Sequence, residues 1–443
     1  LYSLHFGVIP GIGGSPTNLG LDPYLATRGQ KGWTTKYVGV PANGMEDDGA
    51  FGSPLLGADS GLRAFAFGGP DICNPCFDDG STNIPLRLPN GELVKGMAGS
   101  LSPAADPAGE VREHFSADGS HFVFGSEEKF EGTGKQGEVS IYDRNLGTGN
   151  TQVVSTLPNG QTMSGDVAQL DISADGGRVL VGQVVGTDSA GNRRYDLYMH
   201  VGASPNSVLV ADTANGVIYN GMSSDGTKVF FTSSDQIGGE ADSGADLFRA
   251  DVGTSGPATL TRVSTGGGAG DTDSCSPTGN WNVVAGGPDC SIVAIAGGGG
   301  VADDGTAYFF SPERLAGPTV GTDDEPNLYA VEPGGSPQFV ATLEPDNVAV
   351  ENGVENSEAH SYADFQVTPD GRYAAFNTRL ELVDYPNIGF NEIYRSDLGD
   401  GSLDCVSCAP TGAVPASDTS LLRHGLNLTD DGRVFYTTTE SFA

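Results

Sequence analysis

The sequence predicts an all-β chain folded as a β-propeller of four-stranded antiparallel blades. Three observations carry that prediction. A hairpin phrase built on Asp-Gly recurs along the chain. Each copy is followed about 20 residues later by an acid or amide, an aliphatic residue and an aromatic one. The composition is turn-dense, with 67 Gly and 26 Pro in 443 residues and only 37% hydrophobic residues, and no long segment has the apolar spacing of an amphipathic helix.

The hairpin is clearest in Phe365-Gln366-Val367-Thr368-Pro369-Asp370-Gly371-Arg372-Tyr373-Ala374-Ala375-Phe376. Apolar alternation runs into a turn and resumes beyond it. Pro presets φ, Asp bonds its own backbone, and Gly accepts a positive φ. The same turn recurs at Asp118-Gly119, Asp175-Gly176, Asp225-Gly226, Asp304-Gly305 and Asp431-Gly432, with the aspartates 57, 50, 79, 66 and 61 residues apart. A weaker copy, Ala58-Asp59-Ser60-Gly61, precedes them by 59 residues. These aspartates are read as turn formers, not as a catalytic row.

The hairpin supplies strands A and B of each unit. Strand C carries the aromatic signature: Val139-Ser140-Ile141-Tyr142, Asp196-Leu197-Tyr198, Asp246-Leu247-Phe248, Asn327-Leu328-Tyr329 and Glu392-Ile393-Tyr394. Short β-branched runs such as Thr151–Ser155 and Leu260–Ser264 supply strand D. The acids before strand C, Asp196 and Asp246, are expected to satisfy loop backbone.

A four-stranded sheet of this size cannot bury both faces alone, but radial repetition lets each sheet cover the next and leaves only short edges. A string of β-sandwiches would not need one hairpin phrase at a near-constant period. Units centred on Asp59, Asp118, Asp175, Asp225, Asp304 and Asp370 have room for all four strands. The unit at Asp431 has A and B only. Tyr24–Ala26 and Trp33–Val38 read as its missing C and D strands, so residues 1–38 and 425–443 would share a closing blade. The whole chain, 1–443, is then one propeller domain of seven blades. Tyr2–Val8 also reads as a B strand, which keeps eight blades or an open fragment as alternatives. A start inside a strand implies a mature or trimmed form, or a piece of a longer protein.

The phrase aliphatic-Ser/Thr-x-Asp-Gly-x-x-aliphatic, followed by Asp-aliphatic-Tyr, resembles the repeat of TolB-like propellers, also called WD40-like or PD40 repeats. The resemblance spans roughly residues 50 to 440. It departs from the usual pattern where an aromatic precedes the turn, since only Phe115 is aromatic there and the other units are aliphatic. The repeat is specific for fold and unspecific for activity. It is similar in style to large exported bacterial proteins, and it implies protein–protein contact as the commonest use.

Charge narrows the partners. With 22 basic against 57 acidic residues the net charge is −35. Such a surface repels nucleic acid and anionic membranes, and no apolar run is long enough to span a bilayer. The six cysteines, two pairs of them in Cys-x-x-Cys, fit an oxidising compartment and an extracellular or cell-surface location. The expected pairing is three local disulfides, Cys73–Cys76, Cys275–Cys290 and Cys405–Cys408. One Zn²⁺ shared by the two Cys-x-x-Cys pairs is the alternative, opposed by their separation in the predicted ring. Thioredoxin-type chemistry lacks its βαβ unit.

Catalytic signatures are sparse. No Gly-x-Ser-x-Gly elbow, His-Glu-x-x-His, phosphate loop or dinucleotide fingerprint occurs. The six histidines have no ligand spacing. The Ser-x-Asp-x-Gly-x-x-Trp box of sialidase-type propellers is missing. Weak acid–base candidates near strand A ends and blade-entry loops are Asp166, Asp171, Asp271, Asp273, Glu358 and Asp364. Asp323, Asp324 and Glu325 are the best place for Ca²⁺, without the order of an EF-hand; no other cofactor is expected. The long insert Thr265–Gly300 is a surface loop or a partner-binding loop. The leading functional expectation is a non-enzymatic extracellular scaffold that binds a protein or glycan. The alternatives are a propeller glycosidase or polysaccharide lyase using channel carboxylates, and a structural segment of a larger adhesin.

Overall fold

The computed structural model describes residues 2–5, 12, 21–39, 55–68, 83–102, 107–187, 193–238, 246–266, 300–323, 325–344, 365–421 and 427–439. Cys73, Cys76, Cys275, Cys290, Asp271, Asp273, Asp324, Glu358, Asp364 and most of the Thr265–Gly300 insert lie outside the described residues. Every regular element described is a β-strand. No helix among the described residues is long and apolar enough to cross a membrane. The chain divides into two compact units, residues 1–183 with 198–209, and 184–197 with 210–443.

The first unit opens with β1 (Tyr2–His5), β2 (Leu21–Gly29) and β3 (Gly32–Tyr37), paired in that order. β2 and β3 contain the expected C and D strands. β1 takes the free edge of β2, with Tyr2 opposite Tyr24, which is where a B strand belongs. A complete four-stranded sheet follows: β4 (Leu55–Ala58), β5 (Phe65–Phe67), β6 (Pro85–Arg87) and β7 (Leu93–Lys95). Next come β8 (Glu110–Val111), β9 (His121–Ser126), β10 (Ser140–Asn145) and β11 (Thr151–Val153). Here the four-stranded expectation fails in part. Strand A pairs with β9 only through the Phe115–Phe122 bridge, and its first half, β8, lies parallel to β12 (Val167–Ile172) of the following sheet. That sheet adds β13 (Arg178–Thr187), β14 (Arg193–Val201) and β15 (Val208–Ala211), in the order β15-β14-β13-β12-β8. The division between the units runs through β13, β14 and β15.

The second unit holds two further four-stranded sheets. One is β16 (Ile218–Met222), β17 (Lys228–Ser233), β18 (Asp246–Asp251) and β19 (Thr259–Arg262). Between the two lies a three-stranded sheet, β20 (Ala307–Ser311), β21 (Asn327–Val331) and β22 (Gln338–Thr342), extended by a Val301–Ala307 bridge. The other is β23 (Phe365–Val367), β24 (Tyr373–Thr378), β25 (Glu392–Asp397) and β26 (Ser402–Cys405). β27 (Thr419–Leu421) and β28 (Tyr436–Thr438) form the last pair.

Burial explains why the B strands read as unbroken apolar runs. Phe122-Val123-Phe124, Val229-Phe230-Phe231 and Tyr308-Phe309-Phe310 are all buried. A strand covered on both faces cannot alternate with polar residues. One core joins Ala66 and Leu86 of one sheet to Phe122, Phe124 and Tyr142 of the next. Another joins Tyr308, Leu328 and Ala341 to Phe365, Phe376 and Tyr394. Within each unit, successive sheets therefore stack face to face.

Each position of the repeated turn has a physical use. The Asp118 carboxylate accepts the Ser120 amide at 2.9 Å and the Ser116 hydroxyl at 2.7 Å. The Ser116 hydroxyl in turn accepts the His121 amide at 3.0 Å, which launches strand B. Asp175, Asp225 and Asp370 repeat this with Ser173, Ser223 and Thr368. Glycine is needed twice over. Gly176 has φ +71°, and a Cβ there would meet the His121 ring of the preceding sheet at 2.4 Å. Gly371 has φ +70° and faces Thr306 in the same way. Neighbouring turns also bond directly, Ser60 N–H to Ala117 O and Asp118 N–H to Ala174 O in the first unit, Ser224 N–H to Asp303 O and Asp304 N–H to Pro369 O in the second. The Asp59 copy is shifted by two residues from its expected register. Asp59 holds the serine position, and Leu62, at φ +51°, stands where the others have glycine. The Asp59 carboxylate compensates by accepting the Arg63 and Ala64 amides at 2.5 and 2.7 Å.

Strand C explains its own signature. The Tyr329 hydroxyl donates to Glu313 O at 2.7 Å and accepts the Leu315 amide at 3.0 Å. Tyr142 does the same to Glu128 O and the Phe130 amide, and Tyr394 to Leu380 O and the Leu382 amide. The aromatic is thus a strap across the loop between strands B and C. The polar residue opening strand C bonds a hydroxyl beyond strand D. Asp246 accepts from Ser264 at 2.6 Å and from Arg262 at 3.1 Å.

Candidate functional site

Asp166 and Asp171 do not come together. Asp166 precedes β12 and Asp171 is next to its last residue, so five residues of extended chain hold them about 16 Å apart. The charge of Asp171 instead acts on Glu113, which stands on the A strand of the preceding sheet.

The local backbone creates this proximity. The A strands bulge three residues ahead of the turn, at Leu56, Leu170 and Asn220. Glu113 holds the same position, three residues before Ser116. A bulge leaves one residue without a ladder partner and re-aims its side chain. At this place the ladder is replaced by a side chain. Gln169 is fully buried, and its Oε1 accepts the backbone N–H groups of both Arg112 and Glu113 at 3.0 Å. Its Nε2 has no partner among the described residues. The Arg112 guanidinium is drawn sideways to Glu110 at 2.9 Å.

Solvent reaches the Glu113 side chain, yet protein surrounds its carboxyl on most sides. Desolvation first, and the charge of Asp171 second, push the Glu113 pKa up to about 7. Asp171 accepts the Ile172 amide at 2.7 Å, which fixes its orientation. His114, one residue on, donates from Nδ1 to Val123 O at 2.9 Å and stacks on Phe122. Burial lowers its pKa and keeps it neutral at pH 7. A carboxyl that titrates near neutrality beside a second carboxylate can hold or release a proton, or receive the donors of a bound ligand.

Two of the other expected positions have partners among the described residues. Asp323 pairs with Arg314 at 2.9 Å, a cation where Ca²⁺ was the expectation. Cys405 and Cys408 form a disulfide. Glu392 lies beside it, bonded to the Ser407 hydroxyl, whose oxygen accepts the Ile393 amide at 2.7 Å. Glu113 was not singled out in the sequence; its only signal was an acid three residues ahead of the turn, the position held by Leu56, Leu170 and Asn220 in other A strands.

No family model matches the chain, and no curated protein matches it. Similar solved structures include TolB from Acinetobacter baumannii, with 14% identity and a TM-score of 0.30 over 79% of this chain and 62% of that one. Oligogalacturonate lyase from Vibrio parahaemolyticus has 12% identity and a TM-score of 0.36, over 80% and 77%. Porphyromonas gingivalis dipeptidyl peptidase 4 has 10% identity and a TM-score of 0.45, over 91% and 51%. The match thus spans less than two thirds of the length of TolB and of the peptidase.

Proposed function

We propose that the chain is a β-propeller scaffold, exported and acting at the cell surface or outside, that binds a protein or glycan partner around Glu113 and Asp171. The observation that carries this reading is the contrast among its acids. The turn aspartates are held by their own hydroxyl and amide donors, whereas burial and the charge of Asp171 push Glu113 up to about 7. A net charge of −35 selects partners that bring cationic or hydroxyl donors to these acids. Seven blades in one domain, closed by residues from both chain ends, remain the architecture we propose. Screening the full chain against glycan and basic-peptide arrays tests the function. Loss of a captured ligand in Glu113→Gln and Asp171→Asn, with unchanged folding, supports it; capture that both variants leave intact contradicts it.

A second reading is an enzyme acting on polysaccharide, with Glu113 as the general acid or base. The carboxyl titrating near pH 7 favours it. Release of reducing or unsaturated ends from acidic and neutral polysaccharides, lost in Glu113→Gln, would establish it. Binding of the same polymer without turnover returns the first reading.

A further inference from the structure

The junction between the sheets carrying β9 to β11 and β12 to β15 holds a titratable group that the repeat does not explain. His121 opens strand B directly after the Asp118 turn. Its Nδ1 lies 2.9 Å from both oxygens of Asp143 on β10, and its Nε2 lies 3.0 Å from Nδ2 of Asn145 on the same strand. The ring rests on the next sheet, against Gly176. Asp143 is buried and also receives Gln152 Nε2 at 3.2 Å, while that nitrogen reaches Gly202 O of the next sheet at 3.0 Å.

The orientation of Asn145 is fixed independently. Its Oδ1 accepts the Thr148 amide at 2.9 Å and the Thr148 hydroxyl at 3.1 Å, closing the turn between β10 and β11. Its Nδ2 must therefore face His121 as a donor. A donor demands a lone pair on Nε2, so the contact exists only while His121 is neutral. Three carboxylates pull the other way: Asp143 on β10, Asp118 on the preceding turn and Asp175 on the following turn. From the preceding sheet Arg63, ion-paired with Asp59, reaches Asp118 O at 2.9 Å, and on β14 His200 is a buried imidazole that desolvation keeps neutral.

We propose that His121 is a pH switch linking this sheet junction to the β10–β11 turn. When neutral it accepts Asn145 and the turn is closed. When protonated it pairs with Asp143, the Asn145 N–H faces a second N–H, and the turn at 146–150 must release its side-chain bonds to Thr148. The hydrogen bond to Asp143 raises the His121 pKa above its ordinary 6.5.

The test uses the full chain labelled at histidine, with His121→Gln to assign the signal. His121 is expected to titrate above 6.5. Asn145→Ala should raise that pKa by half a unit or more, because it removes the donor that favours the neutral ring; Asp143→Asn should lower it. Amide exchange of the 145–150 segment, corrected for intrinsic chemistry, should accelerate several-fold on acidification through the same pKa, and this acceleration should vanish in His121→Gln. A His121 pKa unmoved by Asn145→Ala, or exchange of the turn that ignores the titration, overturns the proposal. Asn145→Ala removes one half-buried side chain at the end of β10, leaves Asp143 in place and keeps the test valid if Asp143→Asn does not fold.

Discussion

Glu113 and Asp118 stand five residues apart on one strand and turn, yet their carboxyls differ in kind. Burial pushes Asp118 upward, but hydrogen bonds from Ser120 and Ser116 outweigh it and leave its pKa below the usual carboxylate range. Glu113 has no such donors among the causes of its shift, and desolvation with the Asp171 charge drives it up to about 7. The lesson is that position in the repeat, not acidity, decides whether an acid is architecture or chemistry. An acid with donors built around it holds a turn; an acid three residues ahead of the turn, desolvated and within reach of another carboxylate's charge, is pushed up to about 7.

The comparison can be broken most severely at the turn's glycine. Gly176→Val forces a β-branched residue to positive φ, at about 1–2 kcal/mol, and drives side-chain atoms into His121, at about 1–3 kcal/mol more. Denaturant unfolding should therefore record a loss of about 2–5 kcal/mol. Tyr329→Phe comes next. It strands the Leu315 amide in a buried loop and leaves Glu313 O only the long 3.4 Å bond from Asn327 Nδ2, for a loss of about 2 kcal/mol by the same measurement. Asp118→Ala should lose about 1 kcal/mol near neutral pH. That loss should shrink in acid, because the stability from a lowered carboxylate pKa is present above the ordinary value of 3.8 and disappears as pH falls through the folded value.

Glu113→Gln should have the smallest effect on stability and the opposite sign. A raised carboxyl pKa contributes stability that is full below its ordinary 4.5 and erodes as pH rises through about 7. The glutamine variant should lose that erosion, so its unfolding midpoint should match wild type in mild acid and exceed it slightly at pH 8.

Much of the architecture was legible because the repeat writes physical necessity in residue types. Ser/Thr-x-Asp-Gly names the donor, the acceptor and the left-handed position of one turn, and the C-strand aromatic marks its strand even before its hydroxyl is seen to strap a loop. Leu62 was not legible, since two neighbouring amides held by Asp59 let a leucine take the glycine's conformation. The site was less legible still. Asp171 could be named as an acid near a strand end, but its partner depends on which strand runs beside it. The parallel pairing of β8 with β12 joins residues 58 positions apart, Ala168 with Glu110, through a buried glutamine whose role is invisible in its identity. Asp166, close in sequence, was excluded by nothing but the rise of an extended strand.

The decisive measurement is the titration of the Glu113 carboxyl, followed by carbon NMR on selectively labelled full chain in wild type and Asp171→Asn. The account predicts a midpoint near 7 that falls when the Asp171 charge is removed, while Asp118 in the same spectra titrates below 3.8. A Glu113 midpoint in the ordinary range near 4.5, indifferent to Asp171→Asn, would contradict it.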